Sequence, residues 1–155
     1  MQSLLHFNEM TDEFYMREAL REAKKAFDAD EVPIGCVIVY REKIIARAWN
    51  RTEQLQDFTA HAEMQSFTSA SEHLGNKYLN ECTLYVTLQP CAMCSGAAFW
   101  TQIGRVVFGA WDAKRNISEI APMLFHPSTT VSGGVLEKEC AALLSVFFKS
   151  KRLPG

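Results

Sequence analysis

The segment from Cys82 to Ala110 reads as strand, helix, strand, and this order restricts the fold more than any other feature of the chain. Cys82–Leu88 (CTLYVTL) is a β-prone apolar run closed by Pro90, and Cys91–Thr101 is rich in alanine and bulky apolar residues, as a core helix is. Pro90 fits a first-turn position of that helix, where its missing N–H costs nothing. Arg105–Ala110 (RVVFGA) is strand-like again. Two strands joined by a helix pair in parallel through a right-handed crossover, which lays the helix on one face of a sheet.

The flanking sequence supplies the remaining layers. From Met10 to Asp28, apolar residues including Tyr15, Met16, Ala19, Leu20 and Ala23 recur near helical spacing, with Thr11 or Asp12 available as N-cap. Glu31-Val32-Pro33 ends that helix. Two β-prone runs, Ile34–Tyr40 and Ile44–Trp49, then form a hairpin about Arg41-Glu42-Lys43. Residues 50–59 are polar and aperiodic, and a second helix begins near His61 and ends at Gly75. Residues 111–134 read as irregular, and Leu136–Arg152 as an amphipathic helix with Cys140, Leu143, Leu144 and Phe147 on its apolar stripe. The expected architecture is a three-layer α/β domain with a mixed sheet.

At 155 residues and 48% hydrophobic, the chain fits one compact domain over 1–155, with its ordered core over about 10–152. A formal charge of -2 means that binding to nucleic acid must rest on a local basic patch. No run of about 18 apolar residues suggests a membrane span. The first ten residues do not resemble a secretory signal, and an odd count of five cysteines, two of them in C-x-x-C, suits a reducing compartment. A cytoplasmic location is expected.

The chemistry is concentrated at two helix starts. Chance alone yields an H-x-E about a third of the time and a C-x-x-C about a sixth, so neither fragment carries a function by itself. Together, His61-Ala62-Glu63 and Pro90-Cys91-Ala92-Met93-Cys94 present an imidazole and two thiols at helix N-termini. A helix start carries roughly +0.5 of an elementary charge, which favours thiolates. Zinc prefers nitrogen and sulfur donors, and a catalytic zinc keeps three protein ligands and leaves a fourth position for water, which ionises near neutral pH. His61, Cys91 and Cys94 make that set, although cobalt or iron can take similar ligands. Glu63 projects about 200 degrees from His61 on a helical wheel, yet in the first turn it can reach that water as general acid/base. A thioredoxin-like redox pair is the competing reading of the C-x-x-C. A closed structural site would need a fourth ligand, and His6, His73, His126, Cys36, Cys82 and Cys140 offer none at suitable spacing.

The combination of H-x-E with P-C-x-x-C is the signature of zinc nucleobase deaminases. The segments EVPIGCVIV, WNR, TAHAEM, TLYVTL, PCAMCSGA, IGRVVFGAWDAK and ECAALLSVFF resemble the bacterial tRNA adenosine deaminases over most of the chain. That resemblance implies the cytidine-deaminase-like α/β/α fold with a mixed sheet of about five strands, a homodimer, one zinc per subunit, and conversion of adenosine to inosine at the wobble position of a tRNA anticodon stem-loop. By the same resemblance His61, Cys91 and Cys94 hold the metal, Glu63 moves protons, and Asn50 binds the target nucleoside. Asp112, Lys114 and the basic end of the last helix, Lys149, Lys151 and Arg152, match positions near the nucleic acid. Departures bear on substrate: Gln89 stands where glutamate is usual, Trp111 where a basic residue is common, and the stretch after His126-Pro127 is shorter than in typical members. Phe99-Trp100 resembles guanine deaminases, so a free nucleobase, as in guanine- or cytosine-deaminase-like enzymes, is the alternative substrate.

Overall fold

The computed structural model describes residues 2–115 and 117–152, with side chains from residue 11 onward. Its elements run α1 (Gln2–Asp28), β1 (Gly35–Tyr40), β2 (Lys43–Trp49), α2 (Thr52–Leu55), α3 (Ala62–Leu74), β3 (Cys82–Leu88) and α4 (Ala92–Thr101). Then follow β4 (Arg105–Ala110), a 3-10 turn (Ile117–Glu119), α5 (Ala121–Leu124), β5 (Thr130–Gly133) and α6 (Glu137–Arg152). The five strands form one mixed sheet in the order β2-β1-β3-β4-β5. β1 is antiparallel to both β2 and β3, whereas β3, β4 and β5 run parallel. The β3-α4-β4 unit is thus the parallel pair expected from its pattern.

Period-two alternation sorts the core into two layers. Cys36, Ile38, Leu84, Val86, Val106 and Phe108 face α3 and α4, packing with Ala62, Phe67, Ala70 and Ala98. The intervening residues Val37, Val39, Tyr85 and Val107 face α1 and α6, packing with Tyr15, Met16, Ala19, Leu20 and Cys140. Helices therefore cover both faces, which is the α/β/α arrangement. The approach of α1 depends on small residues: a Cβ at Gly35 would lie 2.2 Å from the Ala23 backbone nitrogen and 2.4 Å from the Ala19 carbonyl oxygen. Only glycine lets the helix backbone touch the start of β1.

Several local readings change. Asp12 lies inside α1 and does not cap it; its carboxylate takes both guanidinium nitrogens of Arg105 at 2.8 and 2.6 Å and the Tyr85 hydroxyl at 2.8 Å. This charge-assisted cluster ties α1 to β3 and β4. Pro90 precedes the cap residue Cys91 and is not in the first turn of α4. Residues 50–59 contain the single-turn helix α2, and 111–134, read as irregular, contain the 3-10 turn, α5 and the edge strand β5. β5 (TVSG) is short and mostly exposed, so its sequence lacks the alternation that marks a half-buried strand.

Candidate zinc site and substrate cleft

His61 is the N-cap of α3 and Cys91 the N-cap of α4, both with extended backbone. Caps are usually Ser, Thr, Asp or Asn, whose side chains satisfy the first helical N–H groups. Here neither side chain makes a cap hydrogen bond. The helices give up a cap and keep the imidazole and the sulfur free for another partner. Because His61 precedes the first helical residue, the wheel projection that set Glu63 apart from it does not apply.

The spacing of the donors fits zinc. The Nδ1 atom of His61 lies 3.6 Å from Cys91 Sγ and 3.5 Å from Cys94 Sγ. Zinc bonded at about 2.3 Å to sulfur and about 2.0–2.1 Å to nitrogen, at a tetrahedral angle, places N and S about 3.6 Å apart. All three ligand atoms lie within 4.8 Å of one another. Among the described residues no other His, Cys, Asp or Glu group clusters in this way. Cys36, Cys82 and Cys140 are buried in the core layers, and His6 lies outside the residues whose side chains are described. Among the described residues three donors cluster and no fourth joins them, which would leave one position of a tetrahedral metal open.

Proton affinities follow from the same contacts. Cys91 is drawn down to about 3, first by the Cys94 thiol that donates to it and then by His61. Cys94 is pushed up by that shared proton and by burial. The pair thus holds one thiolate, and metal binding releases the remaining proton. His61 is raised chiefly by its contact with Cys91. Glu63 is 4% exposed, and burial, followed by the nearby Cys91 charge, raises its carboxyl above the ordinary range.

These groups form the floor of a cleft of about 970 Å³. His61, Glu63 and Cys91 line it, while Cys94 is 1% exposed beneath them. Asn50, Asp112, Lys114 and Arg152 line the same cleft, so segments as distant in sequence as β2 and α6 converge there. Lys149 joins them; Lys151 does not, pairing instead with Asp30. Asn50 is buried, with its side-chain amide directed to the Val32 carbonyl oxygen at 3.4 Å. Phe99 and Trp100 do not line the cleft.

Three residues that hold the cleft together were not singled out as positioning groups from the sequence. Glu31 is 1% exposed, and its two carboxylate oxygens accept from the backbone N–H groups of Glu53 at 2.9 Å and Gln54 at 2.7 Å. It replaces a local cap for α2, which forms one wall. Gln65 donates to the carbonyl oxygens of Trp49 at 2.9 Å and Ala60 at 3.1 Å, locking the start of α3 to the end of β2. Gln89, noted as a departure, is buried, accepts from the Asp112 N–H at 3.1 Å and donates to Ser118 Oγ at 3.4 Å. The loop after β4 is thereby pinned to the loop before Cys91. Local sequence patterns give no sign of these contacts, because the partners lie 22, 16 and 23 residues away.

Known proteins share this arrangement. The chain is 47% identical over 146 residues to the tRNA-specific adenosine deaminase of Bacillus subtilis, covering 91% of each. It is 44% identical over 150 residues to the tRNA-specific adenosine deaminase of Aquifex aeolicus, covering 92% of this chain and 97% of the relative. A solved structure from studies of A-to-I editing by tRNA:A34 deaminases superimposes with a TM-score of 0.79 at 42% identity, over 84% of this chain and 99% of that one. Residues 9–110 match the model of the cytidine and deoxycytidylate deaminase zinc-binding region. Since that span takes in all three donors and Glu63, the chain belongs to the zinc-binding cytidine and deoxycytidylate deaminase family.

Proposed function

We propose that the protein is a zinc-dependent hydrolytic deaminase that converts adenosine to inosine at the wobble position of a tRNA anticodon. The observation that carries the reading is a His/Cys/Cys triad already at tetrahedral spacing beside buried Glu63, on the floor of one cleft. The extensive identity to tRNA-specific adenosine deaminases supports the choice of substrate.

Zinc, held by His61, Cys91 and Cys94, supplies the Lewis acidity that makes water a nucleophile near neutral pH. Glu63 takes a proton from the attacking water and delivers it to the neighbouring ring nitrogen of adenine. As the bond from C6 to the exocyclic nitrogen breaks, Glu63 takes the proton of the new C6 hydroxyl, which becomes the carbonyl of inosine, and passes it to the departing ammonia. Its burial favours this double duty, because a raised carboxyl pKa brings acid and base forms closer to balance. Asn50 orients the nucleoside from the cleft wall, while Asp112, Lys114 and Arg152 meet the surrounding ribose and phosphates. An anticodon loop suits this geometry, since an unstacked base enters a pocket without the cost of opening a duplex.

The same reading makes the chain a single deaminase domain, cytoplasmic, with one zinc per subunit of a homodimer. No described helix is long and apolar enough to cross a membrane. Exposed Met93 and Trp100 on α4 and Met123 on α5 supply apolar surface for a second copy. Phe99-Trp100, the segment that resembles guanine deaminases, does not line the cleft and so offers the free-base alternative no contact there. Incubation with tRNA transcripts and, separately, with guanine, cytosine and adenine tests the choice. Inosine in a tRNA is the expected product; turnover of a free base with no inosine in any tRNA would overturn it.

A further inference from the structure

The end of α6 is a ridge with a hollow on either side. Lys149 and Arg152 line the cleft that holds His61 and Glu63. Lys151 lines a second hollow of about 660 Å³, together with Asp30, Glu31, Glu53, Gln54 and Phe147. Val32 and Glu53 line both, so the two spaces share a wall. Three cations at the end of one helix thus have different surroundings. Lys151 pairs with Asp30, and its ammonium lies 5.5 Å from the centre of the Phe147 ring. Phe147 is buried and meets Phe27 of α1 edge-on at 5.9 Å, so this side of α6 is anchored on α1.

Asp30 occupies a position that ordinarily belongs to glycine. The Glu31 N–H donates to the Ala26 carbonyl oxygen at 2.9 Å and the Asp30 N–H to the Phe27 carbonyl oxygen at 3.1 Å, which closes α1 in a Schellman motif. The turn residue of that motif is left-handed, and Asp30 has a φ of 64°. Aspartate adopts this conformation at a backbone cost that glycine does not have. What its side chain adds is the pair with Lys151. The next residue, Glu31, accepts from two N–H groups of α2. One corner therefore reaches α2 through Glu31 and α6 through Asp30, and both helices wall the cleft. Charge decides what Lys151 can do there. Asp30, Glu31 and Glu53 border its hollow, and among the residues lining it Lys151 is the only cation. A phosphate entering that hollow would meet net negative charge.

We infer that Lys151 is a positioning residue and not a phosphate contact: its pair with Asp30 latches the end of α6 to the corner after α1 and so sets Lys149 and Arg152 in the cleft. The inference rests on the reading of the cleft as an RNA site, and goes beyond it by separating the basic residues of one helix end into those that meet RNA and one that holds them in place. The pair lies at the surface, where ion pairs are weak, so its loss costs RNA affinity about 2- to 5-fold.

The test is an equilibrium titration of the zinc-loaded Glu63→Ala protein, with and without changes at Asp30 and Lys151, with anticodon stem-loop RNA. Asp30→Asn suits the left-handed backbone and removes a negative charge, so plain electrostatics would tighten RNA binding. The latch predicts the opposite sign. Asp30→Asn and Lys151→Gln should each weaken binding about 2- to 5-fold, and the double variant no more than either. Asp30→Lys should weaken it as well, and Lys151→Asp added to Asp30→Lys should restore affinity. In the active enzyme the loss falls in KM, with kcat and zinc content unchanged. Asp30→Asn protein that binds RNA as tightly as the parent, or more tightly, overturns the inference. So does a Lys151→Gln effect to which Asp30→Asn adds, or one that lowers the slope of log affinity against log salt by about 0.7–0.9, the mark of a lost phosphate contact. Amide hydrogen exchange over residues 147–152 reports on the latch without RNA and should quicken in both single variants. Quickened exchange with no inosine formed by the active enzyme would sink the proposed function and leave the latch standing; inosine formation with RNA binding indifferent to Asp30→Asn would do the reverse.

Discussion

The floor and the rim of the cleft are built by opposite means. At the floor, His61, Cys91 and Cys94 sit at the starts of two core helices, and their spacing follows from how those helices pack on the sheet. At the rim, Asn50, Phe58, Trp111, Asp112 and Lys114 stand on loops, and the segments around them are tied by long-range hydrogen bonds with the side chains of Glu31, Gln65 and Gln89. The family match over residues 9–110 covers the whole floor and stops just before Trp111. Regular structure fixes the chemistry, and loops are free to choose the substrate.

The contrast predicts a graded response to substitution. Largest is the effect at the floor. Cys91→Ser should lose zinc and activity together, whereas Glu63→Ala should retain zinc and lose about 10²–10⁴ in kcat. Metal analysis alongside single-turnover rates measures both, and a Glu63→Ala protein with undiminished deamination would remove the assigned proton carrier. At the rim, Glu31→Ala deprives two N–H groups of α2 of their acceptors, at a cost of about 1–3 kcal/mol. Its expected signature is a raised KM for tRNA at unchanged zinc content. If zinc is lost as well, floor and rim are not separable and the comparison fails.

How far the sequence discloses each region follows the same division. β3, α4 and β4 are legible because their patterns are local: an apolar run, an alanine-rich helix and a second run, each complete within a dozen residues. The metal donors are legible because their residue types are uncommon and their helix-start placement is shared. By contrast α2 buries none of its own residues and depends on Glu31 far upstream, so residues 50–59 look like plain loop. β5 is an edge strand whose partner, β4, supplies its order, and nothing in TVSG announces it. Asp12 looks like a cap until its distant partner Arg105 is known. Long-range polar contacts leave no periodic trace.

The smallest expected effect concerns the core behind the floor. Burial pushes Cys82 up to about 11 and Cys140 up to about 12, from an ordinary 9.0. Both are neutral in the folded protein, so their contribution is complete below the pKa of the unfolded thiol, about 9, and declines as pH rises through the folded values. Thermal unfolding should show a flat Tm up to about pH 8.5 and a decline above it, reduced in Cys140→Ala. A Tm that rises above pH 9 would contradict the burial of these thiols.

The central claim is that water, activated over this triad and served by Glu63, replaces the amine of a tRNA adenosine. It is tested most directly by reaction of zinc-loaded protein with a tRNA in water enriched in heavy oxygen, followed by mass spectrometry of the wobble nucleoside. The account predicts inosine carrying one heavy oxygen at that position, formed about 10²–10⁴-fold more slowly by the Glu63→Ala protein. A wobble adenosine left intact by the zinc-loaded enzyme, or inosine formed equally well without Glu63, would contradict it.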